Sequence, residues 1–122
     1  VLESPSLFFA GMAGARLPIA VAHGEGFANF SQRGNASQAI GAMRFVDNHG
    51  QATMQYPFNP NGSLAGLTAV TTANGRFTAM MPHPERVFRN VQMSWTDLGA
   101  SGGVDAFSPW MRMWRNARQW VG

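Results

Sequence analysis

Residues 67–86 of the 122-residue chain read LTAVTTANGRFTAMMPHPER, two apolar runs around a turn sequence, followed by a proline-rich motif. The dipeptide Asn74-Gly75 favours a tight hairpin turn, because both residue types tolerate the positive φ angles that such turns need. The runs Leu67–Thr72 and Phe77–Met81 therefore predict a β-hairpin whose second strand leads directly into His83.

The motif after this hairpin, Pro82-His83-Pro84-Glu85, places an imidazole and a carboxylate two residues apart. In an extended backbone, residues i and i+2 point to the same side. Each proline fixes its own φ and pushes the residue before it toward extended geometry. The pattern suits a general base whose tautomer is held by an acid. A loop histidine beside a surface glutamate remains the alternative, since short motifs are weak hypotheses.

The composition indicates one globular domain whose surface is poor in charge. A chain of 122 residues is long enough for one domain with a core. Charged residues make up 12% of it, about half of the usual share of about 25%. We expect such a surface to be covered in part, either by oligomerisation or by a larger body to which the chain belongs.

Several classes of partner are not expected from the sequence. The net charge is +3 and every basic residue is arginine, but no basic run interleaves with aromatic residues as single-strand binding requires. Apolar runs fall far short of the roughly 18 residues that span a bilayer. Without cysteine there is no disulfide framework and no thiolate metal site. These features predict a cytoplasmic protein that binds neither nucleic acid nor membranes.

Other segments predict further elements around the hairpin. Leu17–His23 is a short apolar run typical of a buried strand, and Met43–Asn48 with Gln51–Tyr56 predicts a second hairpin. Ser108-Pro109 favours the start of a helix that runs to about Val121. Helical spacing puts one set of residues on a single face, which we expect to be core: Trp110, Met113, Trp114, Ala117 and Trp120 or Val121.

A second imidazole–carboxylate pair occurs at His23-Gly24-Glu25. Together with His83 and Glu85 it offers two imidazoles and two carboxylates, a set that could ligate a divalent metal ion. A metal-binding or structural β-rich module with two such pairs is therefore an alternative function. The residues themselves assign no role to His23 or Glu25.

Several motifs, in order along the chain, resemble the C-terminal part of phosphoribosylformylglycinamidine synthase in its large single-polypeptide form. The resemblance spans essentially all 122 positions. The motifs that carry it are Leu17-Pro-Ile-Ala-Val-Ala-His-Gly-Glu-Gly26, Asn59-Pro-Asn-Gly-Ser63, Thr68-Ala-Val-Thr-Thr72, Met80-Met-Pro-His-Pro-Glu-Arg86 and Trp110-Met-Arg-Met-Trp-Arg-Asn-Ala-Arg118.

The resemblance implies an α/β fold, the back half of a class I glutamine amidotransferase with a flavodoxin-like open sheet, β-hairpins and a C-terminal helix. It makes His83 the base of a Cys-His-Glu triad and Glu85 its orienting acid. Residues 1–122 would be the C-terminal portion of the glutaminase domain, with the nucleophilic cysteine in an upstream half before Val1. The chain alone is then expected to be inactive.

The same resemblance implies the reaction and its partners. L-glutamine would be the nitrogen donor, and ammonia would pass to a synthetase domain of the same enzyme. There ATP and magnesium would serve the conversion of formylglycinamide ribonucleotide to formylglycinamidine ribonucleotide in purine biosynthesis. No cofactor is expected in this chain. Its expected protein partners are the synthetase and upstream glutaminase parts.

Overall fold

The computed structural model describes residues 1–22, 26–96, 102–103 and 106–122. Three strands form an antiparallel sheet in the order β1–β2–β3, and one helix follows near the C-terminus. The strands are β1, Ile40–Arg44, β2, Leu67–Thr71, and β3, Thr78–Met80; the helix is α1, Met111–Val121. Short 3₁₀ turns occur at Leu7–Phe9, Ala36–Gln38, Leu64–Gly66, Pro84–Val87 and Asn90–Gln92. The predicted α/β class, with a hairpin and a C-terminal helix, is confirmed.

The hairpin predicted around Asn74-Gly75 is strands β2 and β3. Ala69 pairs with Met80 and Thr71 with Thr78. The turn closes through the Gly75 amide, which donates to the Thr72 carbonyl at 2.9 Å. Gly75 has φ of +70°, a conformation that an L side chain rarely adopts.

The second predicted hairpin, Met43–Asn48 with Gln51–Tyr56, forms only next to its turn, where one antiparallel bridge joins Val46 to Ala52. The prediction of two full strands is wrong. The Asp47 carboxylate closes a tight turn by accepting the amides of His49 and Gln51 at 2.8 and 3.0 Å. Beyond it, the Asn59 side-chain amide occupies the Thr53 carbonyl at 2.9 Å, which diverts the chain from a ladder. Strand β1 pairs instead with β2, with shifts of register next to Met43.

The predicted strand Leu17–His23 is wrong over its described residues, 17–22, which make only one bridge, from Ala20 to His83. The cause is local, because Pro18 has no amide to donate to a ladder. Its carbonyl accepts instead from the indole N–H of Trp110 at 2.7 Å. The segment is therefore held by a side chain of the C-terminal region rather than by a neighbouring strand.

Helix α1 covers one side of the core. It packs against the Leu7–Phe9 turn, and the Asn116 side chain donates to the carbonyls of Phe8 and Ala10, both at 2.9 Å. The buried cluster behind it contains Phe9, Met12, Ala42, Met43, Ala69, Val87, Trp110 and Met113.

The predicted core face of the helix is only half correct. Trp110 and Met113 are 1% and 7% exposed, as core residues should be. Trp114 and Trp120, however, are 40% and 54% exposed, so the stripe leaves the core after its first turn. None of the helices in the described ranges is long and apolar enough to cross a membrane.

We predict that Gly75→Ala destabilises the domain by about 3 kcal/mol or more, as strain and a clash combine. A Cβ at Gly75 would lie 1.9 Å from the carbonyl oxygen of Pro5. The N-terminal segment is held beside the hairpin turn by the Leu7 amide, which donates to the Gly75 carbonyl at 3.0 Å. The measurement is the free energy of unfolding from denaturant titration.

Gly14→Ala is the matched control, because Gly14 has φ of +81° and open space around the position of its Cβ. It should lose about 1–2 kcal/mol from backbone strain alone. Equal losses in the two variants would show that the contact with Pro5 contributes nothing.

Candidate functional site

His83 and Glu85 form a direct side-chain pair. Nδ1 of His83 lies 2.7 Å from Oε1 of Glu85. The flanking residues Pro82 and Pro84 are buried, whereas the imidazole is 31% and the carboxylate 56% exposed. The prolines thus anchor the backbone while the two titratable groups face solvent.

Backbone hydrogen bonds hold His83 from both sides. Its amide donates to the Ala20 carbonyl at 2.8 Å, and its carbonyl accepts from the Arg86 amide at 3.1 Å. Glu85 lies in the 3₁₀ turn Pro84–Val87, so the expectation that both side chains project from extended backbone is wrong for Glu85. The two side chains nevertheless lie side by side, as the sequence predicts.

The hydrogen bond determines which imidazole nitrogen carries a proton. An ionised carboxylate can only accept, so Nδ1 of His83 is the donor to Glu85. In the neutral imidazole, Nε2 is then the unprotonated nitrogen, and it has no hydrogen-bond partner within the described residues. This arrangement leaves Nε2 able to take a proton from an incoming group.

The pKa of Glu85 lies below its ordinary value. Slight burial, the largest single effect, raises the pKa, but it is outweighed by hydrogen bonds from the residue's own amide and from His83 and by the charges of His83 and Arg86. Glu85 is thus ionised at neutral pH, as an orienting acid must be. Its small contribution to stability is present above the unfolded-state pKa and is lost as pH falls through the lowered folded-state pKa.

An open cleft of about 900 Å³ lies beside the segment that holds His83. Ile19 and Val21 line this cleft, whereas Ala20 between them bonds to His83. The opposite wall includes Phe45. Since His83 and Glu85 are not among the lining residues, the pair lies at the surface and not inside the cleft.

Hydrogen bonds of asparagine side chains hold the loop Asn59–Ser63 in place. Asn59 is 2% exposed, donates to the Ser63 carbonyl at 2.8 Å and accepts from the Ser63 amide at 3.1 Å. The side chain of Asn61 donates to the carbonyl of buried Gly26. Two asparagines in Asn-Pro-Asn-Gly-Ser were the available signal that this loop is locked by side chains.

The metal-binding alternative requires both imidazole–carboxylate pairs. Within the described ranges, no group of three or more His, Asp or Glu residues could hold a metal ion. His23 and Glu25, on which that alternative depends, lie outside the described residues. His83 and Glu85 by themselves offer two ligands that already bond to each other.

We predict that His83→Ala raises the pKa of Glu85 toward its ordinary value, because the variant loses both the hydrogen bond and the charge of the imidazole. The measurement is a pH titration of the side-chain carboxyl ¹³C shifts by NMR. Asp47 is the internal control, since its pKa is lowered first by the amide of Gln51 and should not move. An unchanged Glu85 titration in the variant would contradict the pairing.

A family model for the CobB/CobQ-like glutamine amidotransferase domain matches residues 1–121. That match confirms the amidotransferase class expected from the sequence, and glutamine is the substrate that this class implies. The chain therefore belongs to the CobB/CobQ-like glutamine amidotransferase family.

Proposed function

We propose that this chain is the C-terminal portion of the glutaminase domain of a phosphoribosylformylglycinamidine synthase, with His83 as general base and Glu85 as its orienting acid. The observation that carries the proposal is the 2.7 Å bond between Nδ1 of His83 and Glu85, which leaves Nε2 free on a proline-anchored backbone. Family membership supports the class of reaction, and the motifs in residues 17–26, 59–63 and 80–86 support the particular enzyme.

The chemistry we assign needs a thiol nucleophile from outside this chain, which contains no cysteine. His83 takes the thiol proton at Nε2, and the thiolate sulfur bonds to the side-chain carbonyl carbon of glutamine. The carbon–nitrogen bond breaks as His83 returns the proton to the leaving nitrogen, which departs as ammonia. A thioester of glutamate remains on the thiol.

The second half of the cycle uses the same two residues. Water attacks the thioester carbon and gives a proton to His83. The carbon–sulfur bond then breaks, His83 returns the proton to the leaving sulfur, and glutamate departs from the regenerated thiol. Glu85 stabilises the imidazolium that forms in each half and does not itself transfer the proton. Because its carboxylate is ionised and bonded to Nδ1, the imidazole enters each cycle in the required tautomer.

The step that consumes ammonia belongs, in this proposal, to a synthetase domain. ATP and magnesium would act there, to activate the amide oxygen of formylglycinamide ribonucleotide. We assign His83 and Glu85 to the glutamine half-reaction alone, because proton transfer at Nε2 of His83 serves the thiol and not the ATP-dependent step. The proposed partners of the chain are the thiol-bearing part of the glutaminase and the synthetase domain.

We predict that His83→Ala in the complete enzyme lowers the glutamine-dependent rate by about 10³-fold or more, equivalent to about 4 kcal/mol. Turnover with ammonium salt should persist, because added ammonia bypasses the thioester. Glu85→Gln should show the same selectivity with a smaller loss, since it orients the base. Paired steady-state kinetics with glutamine and with ammonium make the measurement.

His49→Ala is the matched control for these kinetics. His49 is an exposed loop histidine that donates its backbone amide to Asp47, a bond that alanine retains, so both rates should be unchanged. If His83→Ala abolished both reactions in a folded enzyme, His83 would serve the synthetase chemistry or the fold, and the assigned role would be wrong.

We also predict that the 122-residue chain by itself releases no ammonia from glutamine, because a base and its acid cannot form a thioester without a thiol. An ammonia-coupled enzymatic assay against a buffer blank makes the measurement. Release above the blank that persists in His83→Ala would mean that other residues cleave the amide.

A further inference from the structure

Helix α1 carries three arginines on its exposed side: Arg112, Arg115 and Arg118. Three-residue spacing places them along one side of the helix, about 4.5 Å apart along its axis. We call these three residues the arginine face. No carboxylate lies within ion-pair distance of them in the described part of the chain. The arginine face is therefore a surface of uncompensated positive charge.

Ion pairs within helix α1 do not account for this arrangement. Helix α1 has no acidic residue, so the favourable pairs that arginine makes at i,i+4 spacing are absent. Arg112 lies in the first turn, where the helix dipole disfavours a cation. Its Nε donates to the Ala10 carbonyl at 3.1 Å, which holds the guanidinium in one place. Arg118 lies in the last turn, where the helix dipole favours a cation, whereas Arg115 has neither benefit. None of the three charges is neutralised by a carboxylate of the described residues.

Large apolar side chains lie beside the arginine face. Trp114 is 40% exposed and is an i,i+4 neighbour of Arg118, and Val121, 67% exposed, follows Arg118 at i,i+3. Trp120, 54% exposed, lies on a different side of the helix. Arg76 from the β2–β3 turn stacks over the ring of Trp120, with its guanidinium carbon 5.1 Å from the ring centroid. Exposed tryptophan next to arginine is the composition typical of protein–protein hot spots.

We propose that helix α1 docks on another protein surface, through carboxylates that meet the arginine face and an apolar patch that covers Trp114 and Val121. We infer a partner with carboxylates from charge complementarity, because an unpaired guanidinium group can form two parallel hydrogen bonds with one carboxylate. The apolar side of the helix already packs on Leu7–Phe9, so it cannot enter a bilayer. A nucleic-acid backbone would neutralise the arginines but leave Trp114 and Val121 without an apolar partner. This inference does not depend on the proposed function.

The test uses the full chain and a synthetic helical peptide that has glutamates at three-residue spacing beside two leucines. A second peptide with glutamine in place of every glutamate is the matched probe. Binding is measured by fluorescence anisotropy of the labelled peptides at several salt concentrations. A single-stranded RNA oligomer is titrated in parallel. Circular dichroism confirms that each variant retains its helix.

We expect the acidic peptide to bind with an affinity that falls as salt rises, and the glutamine peptide not to bind. The double variant Arg115→Glu, Arg118→Glu should weaken binding of the acidic peptide by about tenfold or more, and Arg115→Gln, Arg118→Gln by a smaller factor. Arg33→Glu, Arg44→Glu makes the same charge change at exposed positions outside the helix and should leave the affinity within about twofold.

Three results would overturn the proposal. The first is that the wild-type chain does not bind the acidic peptide. The second is equal loss in the helix variant and in the Arg33, Arg44 control, which would assign binding to net charge alone. The third is tighter binding of the RNA oligomer with the same dependence on Arg115 and Arg118, which would make the arginine face a nucleic-acid surface.

Discussion

The buried indole of Trp110 links the two ends of the chain, and the rest of the site depends on it. Its N–H donates to the Pro18 carbonyl at 2.7 Å across a sequence separation of 92 residues. Pro18 lies two residues before Ala20, whose carbonyl accepts from the His83 amide. A buried indole without its acceptor would cost about 1–3 kcal/mol in lost solvation, so this bond is strongly favoured. Trp110 thus fixes the position of residues 18–20, and these in turn fix the backbone that carries the imidazole.

The His83–Glu85 pair shows how a rigid backbone and an exposed reactive group can coexist. Buried Pro82 and Pro84 restrict the chain on both sides of His83, and the hydrogen bonds of the His83 backbone fix its direction. Slight burial raises the pKa of the Glu85 carboxyl, but hydrogen bonds from its own amide and from His83, with the charges of His83 and Arg86, outweigh that effect and keep the pKa low. The ionised carboxylate is thus available for Nδ1. The backbone is held by prolines and hydrogen bonds, and one side-chain hydrogen bond orients the imidazole and the carboxylate.

The carboxylates and the arginines of this chain differ in how they are paired. Within the described residues, Glu85 is bonded to His83, and Asp47 is engaged by backbone amides of its own turn. The arginines of helix α1 have no acidic partner among those same described residues. A chain with 12% charged residues therefore concentrates unpaired positive charge on one helix. Surface arginine of this kind influences association more than folding, because its removal leaves the core unchanged.

The hairpin, the terminal helix and the meeting of His83 with Glu85 could all be predicted from the sequence, because each depends on residues close together in the chain. Asn74-Gly75 selects its turn, Ser108-Pro109 precedes its helix, and two residues of separation bring His83 to Glu85. Family membership also follows from the order of motifs. Tertiary structure alone determined which surfaces are covered. Residues 17–22 make no strand because the Pro18 carbonyl binds Trp110 from the far end of the chain. Trp114 and Trp120 are exposed because the helix packs on the Leu7–Phe9 turn along only part of its length. Local patterns specify periodicity and turns, whereas burial depends on which distant segments pack together, and a single sequence does not contain that pairing in any local pattern.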